Sequence, residues 1–185
     1  MTEVKVDKLK TEVKVAKMIK YGQSLIGKPY GKWIGQDFNN IDEEPMWSMD
    51  LHPPKEIKSA SCAGLINLML RHVGINLPHS KGCKGGTMAY HDYYENVAEK
   101  FDKNKIYPEC TLIGRNYYNL DDQGHVAIVL SNQHVLQSFH PDGINSTYTL
   151  KESNEMSNGQ NYYQYAVIPE NWLIKITMSK LRKSA

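Results

Sequence analysis

Apolar positions fall at helical spacing in the first part of the chain and at a period of 2 in the later part. Leu9, Val13, Ala16, Ile19, Gln23 and Ile26 recur at three- and four-residue steps, which predicts an amphipathic helix over 8–26. Gly27 follows as a C′ residue, and Pro29 as the stop. The stretch TEVKV occurs at 2–6 and again at 11–15, which fits helical spacing better than a repeat architecture. Residues 28–60 keep no period and hold Pro29, Gly31, Gly35, Pro45, Pro53 and Pro54, so they read as a long ordered loop with an insertion at about 34–60.

Ser61-Cys62-Ala63-Gly64 then opens the run Leu65, Ile66, Leu68, Met69, Leu70 and Val73, apolar almost all round. That pattern predicts a central buried helix, stopped at Gly74, with Pro78 barring continuation. The segment 79–110 is rich in Gly and Tyr, with a short helix predicted near 86–100. Beyond Thr111 the spacing predicts strands at 110–115, 124–131, 134–139, 146–150 and 162–168. Turns fall at Asp121-Asp122-Gln123, Ser131-Asn132-Gln133 and Pro141-Asp142-Gly143. Helices followed by an antiparallel meander define an α+β class, expected as one domain over 1–185 with a basic tail at about 176–185.

Composition narrows the function. An apolar fraction of 41% supports a core, and a net charge of +2 with dispersed positives gives nucleic-acid binding little support. No apolar run approaches the ~20 residues of a membrane span, and the charged first 20 residues leave no room for a signal peptide. The expected location is therefore cytoplasmic, virion-associated or released by lysis. Cys62, Cys83 and Cys110 are odd in number and widely spaced, suggesting neither a disulfide framework nor a thiolate zinc site. HExxH, GxSxG, Walker and GxGxxG patterns are absent; no metal or other cofactor is expected.

The candidate chemistry lies at Cys62 and His125. A cysteine nucleophile works as thiolate, and a helix N-terminus favours that form through its dipole and free N–H groups. Cys62 stands at such a start, with Ser61 as cap, and its own N–H is a candidate oxyanion donor. The plainer alternative is a buried structural cysteine. His125 begins the strand Gly124–Leu130 and shares a face with Ala127 and Val129; a satisfied core histidine is the alternative there. Its partner depends on the following turn. A three-residue turn brings Gln137 beside His125, whereas a two-residue turn offers Ser138 or His140. Aromatic residues of the loop, Tyr30, Trp33, Phe38 and Trp47, make a candidate substrate wall or ordinary loop packing.

Together these segments resemble the NlpC/P60 family of papain-like cysteine peptidases. Ile26-Gly27-Lys28-Pro29-Tyr30-Gly31-Lys32-Trp33 is similar to the family's GxPYxWGG-like stretch, and Ser61-Cys62-Ala63-Gly64-Leu65-Ile66 to its DCSGLV. Gly124-His125-Val126-Ala127-Ile128-Val129-Leu130 is similar to its GHVGIYLG-like strand, and Gln137 falls at the family's third position. Order and spacing agree over roughly residues 8–140. The resemblance implies a papain-like fold, with the nucleophile helix on an antiparallel sheet or half-barrel. It further implies Cys62 as nucleophile, His125 as general base and acid, Gln137 as orienting residue, and Tyr30, Trp33 and Ser61 around the substrate. Family enzymes commonly cut γ-D-glutamyl–diamino-acid bonds, so the implied partner is a peptide or peptidoglycan fragment. Ser61 replaces the usual Asp, Ala63 the usual Ser, and Ile34-Gly35 the usual Gly-Gly, changes that bear on specificity. Two other outcomes share the same residues: an acyltransferase or lipid amidase, and a papain-like binding module without catalysis.

Overall fold

The computed structural model describes residues 3–31, 57–80, 83–116, 124–155 and 162–173. Trp33, Phe38, Trp47, the insertion up to residue 56, the turn at Asp121-Asp122-Gln123 and the tail at 176–185 lie outside them.

Helix α1 (Glu3–Ser24) starts earlier than its apolar spacing predicts, and the chain then leaves through turns at 25–27. Helix α2 (Cys62–His72) is the buried helix expected from its all-round apolar run, with Leu65, Ile66, Leu68, Met69 and Leu70 fully enclosed. Each such side chain contributes roughly 1.5–3 kcal/mol of transfer free energy, which fixes the helix firmly in the core. A small hairpin of β1 (His79–Ser80) and β2 (Cys83–Lys84) follows, then α3 (Thr87–Tyr94). The helix predicted over 86–100 thus stops at Tyr94, and Glu99–Lys100 forms the edge strand β3.

The main sheet adds β4 (Leu112–Arg115), β5 (His125–Val129), β6 (Val135–Phe139), β7 (Gly143–Asn145) and β8 (Tyr165–Val167). Its order is β3-β8-β4-β5-β6-β7, with antiparallel neighbours throughout. The meander holds for β4 to β7. The last strand, however, returns to pair with β4, matching Leu112 with Val167.

The strand predicted at 146–150 is a correction. The strand lies at Gly143–Asn145, and helix α4 (Leu150–Glu155) follows. Thr149 and Glu152 form a reciprocal cap there. The Thr149 N–H donates to Glu152 Oε2 at 2.8 Å, and the Glu152 N–H donates to Thr149 Oγ1 at 3.3 Å.

Alternation divides the sheet between two apolar clusters. Val126 and Ile128 join the cluster containing α2, with Leu112, Leu136 and Val167. Ala127 and Val129 join the other, with Ile113, Val135 and Tyr163. Both faces of β5 are therefore buried, and its first residue, His125, is only 3% exposed.

The segment before Tyr30 is clamped to β7. Gly27 N–H donates to Ile144 O at 2.9 Å, and Ile144 N–H donates to Lys28 O at 2.8 Å. Gly143 makes this approach possible: its φ is +73°, and a Cβ there would fall on the Lys28 carbonyl oxygen. Replacing Gly143 by alanine combines left-handed strain with that backbone clash. Urea denaturation of Gly143→Ala is expected to show a loss of about 2 kcal/mol.

Candidate active site

Ser61 adopts an extended conformation (φ −77°, ψ 176°), and its side chain accepts the Gly64 N–H at 3.1 Å. Its carbonyl accepts the Leu65 N–H at 2.9 Å, so α2 begins at Cys62 as the capping pattern predicts. Backbone N–H groups of Val126, Ala63 and Cys62 itself act on the Cys62 thiol in the direction that favours its thiolate. Helix α2, which Cys62 opens, packs against β5, the strand that His125 opens.

Burial nevertheless dominates. Enclosure pushes the Cys62 thiol above its ordinary value, outweighing those N–H groups and the Arg115 guanidinium. Enclosure thus opposes the thiolate-favouring helix N-terminus that the sequence offers. His125 moves the other way, down to about 4. Burial is the main cause, the Gln137 hydrogen bond opposes it, and Arg115 adds to it. At neutral pH the pair therefore rests as thiol and neutral imidazole.

His125 Nε2 lies 3.0 Å from Gln137 Oε1. With the amide oxygen toward the ring this contact calls for a proton on Nε2, which would leave Nδ1 as the lone-pair nitrogen. The turn at 131–133 decides this pairing. Leu130 N–H donates to His134 O at 2.8 Å, Gln133 takes φ +60°, and Ile128 pairs with Leu136. That is the three-residue form. Continuing the register by one step sets Ala127 opposite Gln137, with His125 diagonal to it. Ser138 faces the α2 side instead, donating its hydroxyl to Ala60 O at 2.6 Å, and the His140 ring packs edge-on against Tyr30 at 5.9 Å.

Tyr30 is brought to the nucleophile through a parallel bridge to Ala60, in which Gly31 N–H donates to Ala60 O at 3.1 Å. Its phenol is pushed up to about 12, first by burial and then by the neighbouring Cys62 once that thiol ionises. The Ser61 side chain is engaged as the helix cap, and Trp33 lies outside the described residues. Cys110 is fully buried, far up its titration range through desolvation, and its carbonyl accepts Trp172 Nε1–H at 2.9 Å.

Four residues around His125 escaped the sequence reading. Arg115 lies directly across from it in the sheet, with its guanidinium 4.9 Å from the Tyr162 ring centre. Phe139, Tyr162 and Tyr163 bring their rings to 5.7, 5.4 and 6.1 Å from the imidazole. Arg115 and the paired tyrosines stood inside predicted strands, but periodicity alone does not say which strands become neighbours. Among the described residues no cluster of three His, Cys, Asp or Glu is placed to hold a metal ion, and no helix is long and apolar enough to cross a membrane.

No family model matches the sequence, and no curated protein matches it. Several solved structures are similar, among them the following two. One is a lipoprotein-like NLP/P60-family protein of Staphylococcus aureus, at 16% identity and a TM-score of 0.45, covering 84% of this chain and 41% of the other. The second is the P60 domain of an antigen from M. avium paratuberculosis, at 18% identity and a TM-score of 0.49, covering 88% of this chain and 98% of the other. The chain thus spans less than half the length of the staphylococcal protein. Both neighbours are named for the family that the sequence motifs resemble.

Proposed function

We propose that the chain is an NlpC/P60-type cysteine hydrolase that cleaves an amide bond through an acyl-enzyme on Cys62. The observation that supports the reading is the packing of α2, which Cys62 opens, against β5, which His125 opens with its Nε2 beside Gln137. Cys62 attacks the carbonyl carbon while His125 Nδ1 takes the thiol proton. The oxyanion forms near the N-terminal N–H groups of α2. His125 then passes the proton to the departing amine, and water, deprotonated by the same nitrogen, releases the acid. Because the resting pair is neutral, proton transfer accompanies attack rather than preceding it. Positioned general-base help of this kind contributes about 10²–10⁴ in rate.

The substrate we propose is a cell-wall peptide, cut at a γ-D-glutamyl–diamino-acid bond. Its support is the resemblance of the Tyr30, Cys62 and His125 segments to the family. Comparing turnover of such a fragment with that of an ordinary α-peptide, in the native chain and in Cys62→Ala, tests the activity and the bond together.

One observation favours a second reading. Cys62 and His125 are 7% and 3% exposed, and burial holds both neutral, as a binding module that had lost catalysis would also have them. Absence of turnover with retained binding of the fragment would select that reading.

A further inference from the structure

A glutamine beside a histidine does not by itself decide which ring nitrogen carries the proton. With its oxygen toward the ring, the amide accepts from Nε2–H and leaves Nδ1 bare. Rotated by half a turn, it donates from its nitrogen, the proton moves to Nδ1, and no base remains for the thiol. The choice falls to whatever else holds the amide.

Here that group is Tyr163. Its hydroxyl donates to Gln137 Oε1 at 3.3 Å, the same oxygen that lies 3.0 Å from His125 Nε2. Gln137 Nε2 is buried and has no hydrogen-bond partner among the described residues, so both directed contacts of the amide fall on its oxygen. Tyr163 has a second contact, with Ser153 Oγ of α4 at 2.8 Å. When Ser153 donates to the phenol, the Tyr163 proton is turned toward Gln137. Tyr163 is itself fixed, only 1% exposed, with its N–H donating to Asn154 Oδ1 at 3.0 Å and its ring 5.4 Å from Phe101. Burial raises its pKa, so it stays protonated and remains a donor through the neutral range.

We propose that Tyr163 is a positioning residue: its hydroxyl, directed by Ser153, holds the Gln137 amide oxygen toward His125 and fixes the imidazole as the Nε2–H tautomer. The tautomer follows from the hydrogen-bond chain alone. Only its kinetic consequence rests on the reading of His125 as general base.

The test is the long-range ¹H–¹⁵N spectrum of histidine-labelled protein at pH 7. Native His125 is expected as Nε2–H with bare Nδ1. Tyr163→Phe is expected to show a mixture with the Nδ1–H form, and to lose about tenfold or more in kcat with KM little changed. Adding Gln137→Glu to Tyr163→Phe should restore the Nε2–H form, since a carboxylate offers only oxygen. An Nδ1–H tautomer in the native chain, or an unaltered tautomer in Tyr163→Phe, would overturn the proposal.

If Tyr163→Phe does not fold, the native chain still decides. A nuclear Overhauser contact between the Tyr163 hydroxyl proton and the His125 Nε2 proton supports the proposal, because both converge on one oxygen. A hydroxyl proton directed at Ser153 contradicts it. A native chain with the Nε2–H tautomer but no hydrolysis upholds the positioning role while removing the hydrolase reading.

Discussion

Cys62→Ala is expected to abolish amide hydrolysis, a loss of at least about four orders of magnitude, while the protein stays folded. The size of the effect comes from the route. Without sulfur there is no acyl-enzyme, and His125 has no proton to accept. The fold should survive because the helix is held by Leu65, Ile66, Leu68, Met69 and Leu70, none of which depends on the thiol. Ser61 also keeps its cap to Gly64. Removing one buried sulfur atom costs about 1 kcal/mol, within reach of a chemical denaturation curve. Retained hydrolysis in Cys62→Ala would transfer the chemistry elsewhere.

The second large effect concerns acid. His125 titrates at about 4 in the folded chain against an ordinary value of 6.5, because protonation would place a charge in a buried site that already faces Arg115. Below pH 6.5 the unfolded chain takes up a proton that the folded chain refuses. Stability due to this group is therefore fully present above pH 6.5 and is lost as pH falls toward 4. The gap of about 2.5 corresponds to roughly 3 kcal/mol. For a chain of this length that is a fall in Tm on the order of 10 °C, beyond what the carboxylates add. His125→Gln, which cannot titrate, should lack this component. Thermal melts of both proteins at pH 7, 5.5 and 4 measure it; parallel declines would mean that His125 is not held neutral by burial.

Much of the site was legible because it depends on local patterns. The apolar run after Cys62 marks a buried helix, Ser61 marks its start, and the alternation from His125 marks a strand. The three-residue turn was enough to single out Gln137 over Ser138 and His140 once its form was known. One local signal was misread. The spacing from Ser146 to Leu150 reads as a strand, yet Thr149 and Glu152 stand three apart as a capping box and start α4. Other features were out of reach because they depend on contacts distant in sequence. The return of β8 to β4 is one, since periodicity carries no strand order. Tyr163 is another: its partners Ser153 and Gln137 lie 10 and 26 residues away. The enclosure that opposes the thiolate at Cys62 was out of reach for a different reason. A helix N-terminus is visible in sequence, whereas the degree of enclosure that opposes it is set by the whole fold.

The most direct measurement is mass spectrometry of an acid-quenched reaction between the native chain and an activated ester of the peptide fragment. The expected result is a single acyl group on Cys62, trapped in the native chain and lost on hydrolysis, with formation strongly slowed in His125→Ala. Turnover with no acyl group on Cys62, or acylation that His125→Ala leaves unchanged, would contradict a Cys62–His125 nucleophile and base.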